Sequence, residues 1–181
     1  MRKRLTFLAA SLSIVTAIGF ISVYVSTTPA HSAHLIERQV GHTQTIFAMA
    51  ISGDNKIAVT AGADLTVRVW DVATGRNLHT LTGHTKAIYA VALSPDGKYI
   101  ASADSAGVVL VWNTASGRIY RRFVGQEHDI LQLAFSADGQ RLATGGTSGR
   151  INIWSLKSGT APTLLEGHND DVQAVAFSED G

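Results

Sequence analysis

The chain has 181 residues, 45% hydrophobic and 16% charged. That is enough apolar side chain for a packed core and too little charge for a disordered chain. Its formal net charge of +1 includes Arg2, Lys3 and Arg4; without them 12 basic and 14 acidic side chains remain, a net of −2, which leaves no electrostatic footprint for nucleic acid. Cysteine is absent, which excludes disulfides, thiolate metal sites, cysteine nucleophiles and a lipid-bearing cysteine.

The first element is an apolar segment. Leu5 to Val25 is a run of 21 residues without a charge, behind the basic MRKR. Cations ahead of such a run hold the N-terminus in the cytoplasm. Ser26 to Pro29 and then Ala30 to Ala33 follow, small residues where a signal peptidase could cut. Residues 1–33 therefore read as a cleaved signal peptide or as an uncleaved membrane anchor through residues 5–25, with a plain buried helix as the third reading. The first two place the remaining chain outside the cytoplasmic membrane, exported to the periplasm or exterior or anchored facing outward. An n-region rich in arginine suits a bacterial protein.

After it the sequence repeats every 42 residues without an insertion or deletion. Gly41, Gly83, Gly125 and Gly167 are in phase, as are Trp70, Trp112 and Trp154, and Asp54, Asp96, Asp138 and Asp180. In the second repeat, AIYAVALS (87–94) is a mostly apolar strand with small alanines, suited to lining a narrow channel. SPDG is a turn in which Pro presets φ and Gly accepts a positive one. KYIASAD (98–104) and the β-branched VVLVW (108–112) are the next strands. TASG turns the chain again, and RIYRRF (118–123) is polar enough for an outer edge. The first and third repeats read the same way, with Pro162 placed in the third outer strand, where a missing donor is tolerated.

A period of this length, with Gly-His near its start and Trp-Asp near its end, is the mark of a β-propeller blade. The motifs GHT…SGDN…WD (41–71), GHT…SPDG…WN (83–113), GQEH…SADG…WS (125–155) and GHNDD…SEDG (167–181) resemble the WD-repeat family over residues 34–181. The expected fold is all-β: an incomplete ring of three complete four-stranded blades and one inner strand, VQAVAFS (172–178), preceded by an N-terminal hydrophobic helix. The expected divisions are a stray outer strand at 34–40, repeats at 41–82, 83–124 and 125–166, and a truncated fourth at 167–181. Propellers close with ~4 to 8 blades, so the expectation is a piece of a longer protein with about three or four further repeats.

The resemblance implies a hydrogen-bonded brace in each blade, from the Gly-His histidine, a Ser/Thr, an Asp and the Trp. Carried over, the first repeat has His42, Thr60, Asp64 and Trp70. The second has His84, Ser102 and Trp112, with Ala106 at the Asp position. The third has Thr144 and Trp154, with Gln126 for His and Ser148 for Asp. On that count the first blade is expected to be the most rigid and the third the least.

Other chemistry is thin. The repeat-position histidines read as structural rather than metal-ligating, and no metal or cofactor is expected. Glu127/Asp129 and Asp170/Asp171 read as solvated loop charge, with no partner acid or base at readable spacing. No phosphate-loop spacing and no G-x-S-x-G elbow occur. The expected function is a non-catalytic scaffold that binds a protein or peptide. Its contact face would be built by the Gly-His loops and the second-to-third-strand turns, with Gln44, Lys86, His128 and Asp170 and, beside them, Ser105 and Thr147. The alternatives are a sensor or stalk domain of a membrane-anchored protein and, third, a propeller-type enzyme.

Overall fold

The computed structural model describes residues 41–125, 128–158 and 160–180. The expected N-terminal helix, the outer strand at 34–40 and Gln126 lie outside the described residues. No helix among the described residues is long and apolar enough to cross a membrane.

Among the described residues, twelve strands form three separate four-stranded antiparallel sheets. Blade 1 holds β1 (Ile46–Ile51), β2 (Ile57–Gly62), β3 (Thr66–Asp71) and β4 (Asn77–Thr82). Blade 2 holds β5 (Ile88–Leu93), β6 (Tyr99–Asp104), β7 (Val109–Asn113) and β8 (Ile119–Phe123). Blade 3 holds β9 (Ile130–Phe135), β10 (Arg141–Gly146), β11 (Ile151–Ser155) and β12 (Thr163–Leu165). Each sheet is a meander in chain order. The first strands β1, β5 and β9 lie side by side, so they form the inner wall of an open arc.

The in-phase serines and aspartates make the first turn of each blade. Ser52 donates to Asp54 (2.7 Å), whose carboxylate accepts the Lys56 N–H (3.1 Å), while the Ser52 oxygen accepts the Ile57 N–H (3.0 Å). Ser94/Asp96 and Ser136/Asp138 repeat this at nearly the same distances. Burial alone would raise the Asp96 carboxyl, but bonds from Lys98 and Ser94 overcome it and bring it down to about 2. The residue after each Trp has a parallel task. Asp71 accepts from both the N–H and hydroxyl of Thr74, and Asn113 does the same for Ser116. These side chains satisfy turn amides that no ladder reaches.

The core lies between blades, not within them. One cluster joins Val59, Val67 and Leu81 of blade 1 to Ile88, Ile100 and Trp112 of blade 2. The other joins Ala101, Val109 and Val111 of blade 2 to Ile130, Leu142 and Trp154 of blade 3. Strand alternation explains it, because successive side chains of β6 and β7 point to opposite faces. Outer strands then reach forward: His79 contacts the Ala115 carbonyl (3.2 Å), and Arg121 donates to the carbonyls of Leu156 and Lys157 (both 3.2 Å).

Two expectations need correction. Residues 172–178 do not form a paired strand. Val172 donates to the Gly146 carbonyl (3.0 Å) and, with Val175, packs onto Gly145, but the described residues supply no second strand to complete a ladder. Pro162 stands just before β12 instead of within it; lacking an N–H, it cannot join the ladder, which starts at Thr163.

The repeat also exposes a strained residue. Gly107 and Gly149 turn with φ of 72° and 69°, and their equivalent in blade 1 is Leu65 at 64°. A branched side chain in the left-handed region costs about 1–2 kcal/mol. Leu65 is 36% exposed, so little packing opposes its removal. Leu65→Gly is therefore expected to stabilise the protein by about 0.5–1 kcal/mol, net of the extra freedom glycine gives the unfolded chain. A rise in urea midpoint at constant slope would show it, and a fall would mean the left-handed turn carries no strain.

Candidate functional site

Among the described residues, the recurring constellation of titratable and hydroxyl groups that joins separate elements of a blade is the brace, and it is built at one end of the blades. In blade 1, the Trp70 indole donates to Thr60 Oγ1 (2.8 Å), and Thr60 Oγ1 lies 2.8 Å from His42 Nε2. His42 Nδ1 lies 2.9 Å from both oxygens of Asp64. Asp64 accepts only, so the bonds have one consistent order: indole N–H to Thr60, Thr60 O–H to Nε2, and Nδ1–H to the carboxylate. Asp64 further accepts from the N–H groups of Thr43 (3.1 Å) and Thr66 (3.2 Å) and the Thr66 hydroxyl (2.9 Å). Burial alone would push the Asp64 carboxyl up; bonds from His42, Thr66 and Thr43 outweigh it and hold it below the usual range.

Blade 2 makes the same chain with a different acid. Trp112 donates to Ser102 (2.8 Å), Ser102 lies 2.7 Å from His84 Nε2, and His84 Nδ1 lies 2.8 Å from Asp104 Oδ2. Asp104 Oδ1 accepts from Ala106 N–H (3.0 Å) and Val108 N–H (3.1 Å). The expected gap at Ala106 is therefore filled from two residues earlier. Asp104 ends β6 where blades 1 and 3 have Gly62 and Gly146. A Cβ at either glycine would lie 2.0 Å or less from a backbone oxygen, so blade 2 needs a shifted backbone to admit its acid. One signal was readable: an acid two residues after the brace serine instead of four.

The brace of blade 2 is thus complete, and it is slightly the more buried of the two. The ion-pair side chains of His84 and Asp104 are each 1% exposed, against 2% and 4% for His42 and Asp64, and Trp112 is fully buried where Trp70 is half-buried. In blade 3, Trp154 donates to Thr144 (3.1 Å), while the Ser148 hydroxyl accepts the Arg150 N–H (3.3 Å) and so serves its own turn.

Ser102, His84 and Asp104 stand in the order of a hydrolytic triad. The geometry opposes that use: Ser102 is 0% exposed, and its oxygen already accepts the indole N–H, so no substrate can reach it. Its role is to satisfy buried polar groups.

A pH dependence follows. Burial lowers the His84 pKa, the Asp104 carboxylate pulls it back up, and Arg122 lowers it again; the net shift is below the ordinary 6.5. The unfolded chain then takes up a proton before the folded one. His84 contributes its full stability above about pH 6.5 and loses it as pH falls toward the folded value. The melting temperature is expected to drop from about pH 6.5 downward, with a shallower drop in His84→Gln. An unchanged slope in that variant would assign the titration elsewhere.

The proposed contact residues sit at the same end as the braces. Gln44, Lys86, His128 and Asp170 are exposed in the Gly-His loops, as is Thr147, while Ser105 is half-buried. Ser105 and Thr147 are tied to those loops through their N–H groups, to the carbonyls of Ala87 (3.0 Å) and Asp129 (3.1 Å). Asp170 also accepts the Asp171 N–H (2.8 Å).

Four-stranded meanders packed face to face, each carrying a Trp–Ser/Thr pair and two of them the full His–Asp brace, define an arc of a WD-repeat β-propeller. Solved structures agree: the chain superposes on U3-55K with a TM-score of 0.70 at 27% identity, covering 75% of this chain and 43% of that one. It superposes equally on the RRP9 WD40 repeats, at 28% identity, covering 75% and 42%. The chain belongs to the NWD2 C-terminal beta-propeller family, whose model matches residues 33–163. Among curated proteins, eukaryotic translation initiation factor 3 subunit I of Phaeosphaeria nodorum is 36% identical over 50 residues, which are 28% of this chain and 15% of that protein. The chain thus spans less than half the length of each of these relatives.

Proposed function

We propose that this chain is a non-catalytic scaffold that binds a protein or peptide partner through the end of the arc carrying the Gly-His loops. The observation that carries the reading is the contrast at that end. The brace groups beneath are buried and mutually bonded. Above them, Gln44, Lys86, His128 and Asp170 stand exposed at one repeat position with four different chemistries. A rigid frame with variable side chains suits recognition, and the hydroxyl best placed for nucleophilic chemistry is inaccessible. Export across the cytoplasmic membrane belongs to the same proposal and rests on the uncharged Leu5–Val25 run behind three cations. If that run is retained, the scaffold becomes the outward-facing sensor or stalk of an anchored protein.

Crosslinking in the native host, with the four exposed residues replaced by alanine, tests the binding face. Loss of the crosslinked partner at unchanged melting temperature supports it; undiminished capture would overturn it. Mass spectrometry of the mature N-terminus separates the two export fates, since a start near His31 or Ala33 excludes the anchor.

A further inference from the structure

The outer strands β4, β8 and β12 hold one place in the fold and differ in what they carry there. Each ends its sheet, with no strand beyond it among the described residues. Such an edge presents main-chain donors and acceptors that an extended chain can join. The sheets of the arc pack face to face, so blades added to either end of it leave these edges open.

Blade 1 engages its own outer strand. The Asn77 amide donates to the His79 carbonyl (3.2 Å), and the Thr80 hydroxyl donates to Asn77 Oδ1 (3.1 Å). In blade 3 the edge is brief. β12 has three residues and stands behind Pro162, and the exposed Arg150 is paired with Glu166 (3.3 Å). Blade 2 has neither device: Ile119 and Arg122 stand at the Asn77 and Thr80 positions, and Tyr120 at the Pro162 position.

Charge is uneven in the same place. The second repeat has five basic and two acidic side chains, the first three of each, and the third three basic and four acidic. Asp96 is held by Lys98 (2.9 Å), and Asp104 is buried against His84. Lys86 apart, the surplus cations are Arg118, Arg121 and Arg122, all on or beside β8. Arg118 and Arg122 are exposed and make no ion pair among the described residues. Guarding the edge against pairing does not account for them, because the longer β4 carries no charge from Asn77 to Thr82.

Between those two arginines an aromatic ring is held in place. Tyr120 packs on Tyr99 with centroids 4.7 Å apart, and the Arg121 guanidinium lies 5.5 Å from its centroid. Arg121 is itself anchored on the blade 3 carbonyls of Leu156 and Lys157. Tyr120 nevertheless remains 45% exposed, between exposed Ile119 and Val124. A ring already fixed loses little freedom when a partner covers it.

We propose that β8 is a docking edge for an extended acidic segment of a partner polypeptide. The segment adds a strand to blade 2, sets carboxylates against Arg118 and Arg122, and lays an apolar residue between them on Tyr120. Opposite charges on neighbouring strands attract, and the edge main chain selects an extended polypeptide over a free anion. This flank uses none of the Gly-His loop residues and goes beyond the scaffold reading given above.

The test is selection of a displayed library of random peptides, about ten residues long, on the full chain. Enriched peptides are expected to carry Asp or Glu on both sides of an apolar residue. A synthetic copy of one should protect from hydrogen exchange those amides of Ile119–Val124 that β7 leaves unbonded. Arg118→Ser with Arg122→Ser should weaken that peptide about tenfold at an unchanged melting temperature. Tyr120→Pro, which copies Pro162, should abolish the protection; should it fail to fold, the arginine pair decides. The proposal is overturned by enriched peptides without an acidic bias, by protection that falls elsewhere, or by undiminished affinity of the arginine variant. Phosphatidylglycerol vesicles that bind through the same arginines, while no peptide protects β8, would overturn it in favour of an anionic lipid surface. Alanine replacements at Gln44, Lys86, His128 and Asp170 should leave the peptide's affinity untouched, which keeps it distinct from failure of the scaffold reading.

Discussion

Replacing Asp104 by alanine is expected to destabilise the protein by about 3 kcal/mol. The carboxylate holds three donors, His84 Nδ1 and the N–H groups of Ala106 and Val108. His84 is left with a buried N–H whose carboxylate partner is gone, its side chain being 1% exposed. Urea unfolding monitored by indole fluorescence measures the loss. A loss under about 1 kcal/mol would mean the carboxylate does little beyond the turn amides. The decisive control transplants blade 1's arrangement into blade 2: Asp104→Gly with Ala106→Asp reproduces the Gly62/Asp64 pattern. It should recover most of the stability, because the acid then approaches the same imidazole from the turn.

Trp112→Ala is expected to cost about 3–5 kcal/mol. Trp112 is 2% exposed, packs in the cluster shared with Val59, Val67 and Val69, and lies near Gly83, where an added Cβ would come within 3.1 Å of the ring. Truncation leaves a cavity between blades and leaves the Ser102 oxygen without its indole donor. Trp112→Phe keeps most of the apolar surface and should cost about 1–2 kcal/mol. Trp70→Ala should cost less than Trp112→Ala, because Trp70 is half-buried. Equal losses would mean that burial of the indole does not set the cost.

The fold was legible because its signals are periodic. Turn chemistry at Ser52–Asp54 and its equivalents, the small residues of β1 and β5, and the in-phase tryptophans each recur, so one reading checks another. The brace of blade 2 was misread because position was used where reach decides. A carboxylate on β6 and one in the following turn both arrive at the same imidazole, and only coordinates show that Asp104 does so. Residues 172–178 carry a strand's composition, yet a strand is a property of a pair; the composition of one partner cannot reveal whether the other is in place.

The sidedness of blade 2 places a grammar on the chain. Ile100, Leu110 and Trp112 belong to the core shared with blade 1, while Ala101, Val109 and Val111 belong to the one shared with blade 3. Because the side-chain period of a strand is two, a single residue lost or gained within β6 or β7 would exchange those neighbours wholesale. Ser102 would turn away from His84, and Val111 or Asn113 would stand in the place of the indole. The 42-residue interval thus behaves inside the strands like a reading frame: substitutions are spelling changes, but a slip of one residue rewrites every contact downstream in that strand.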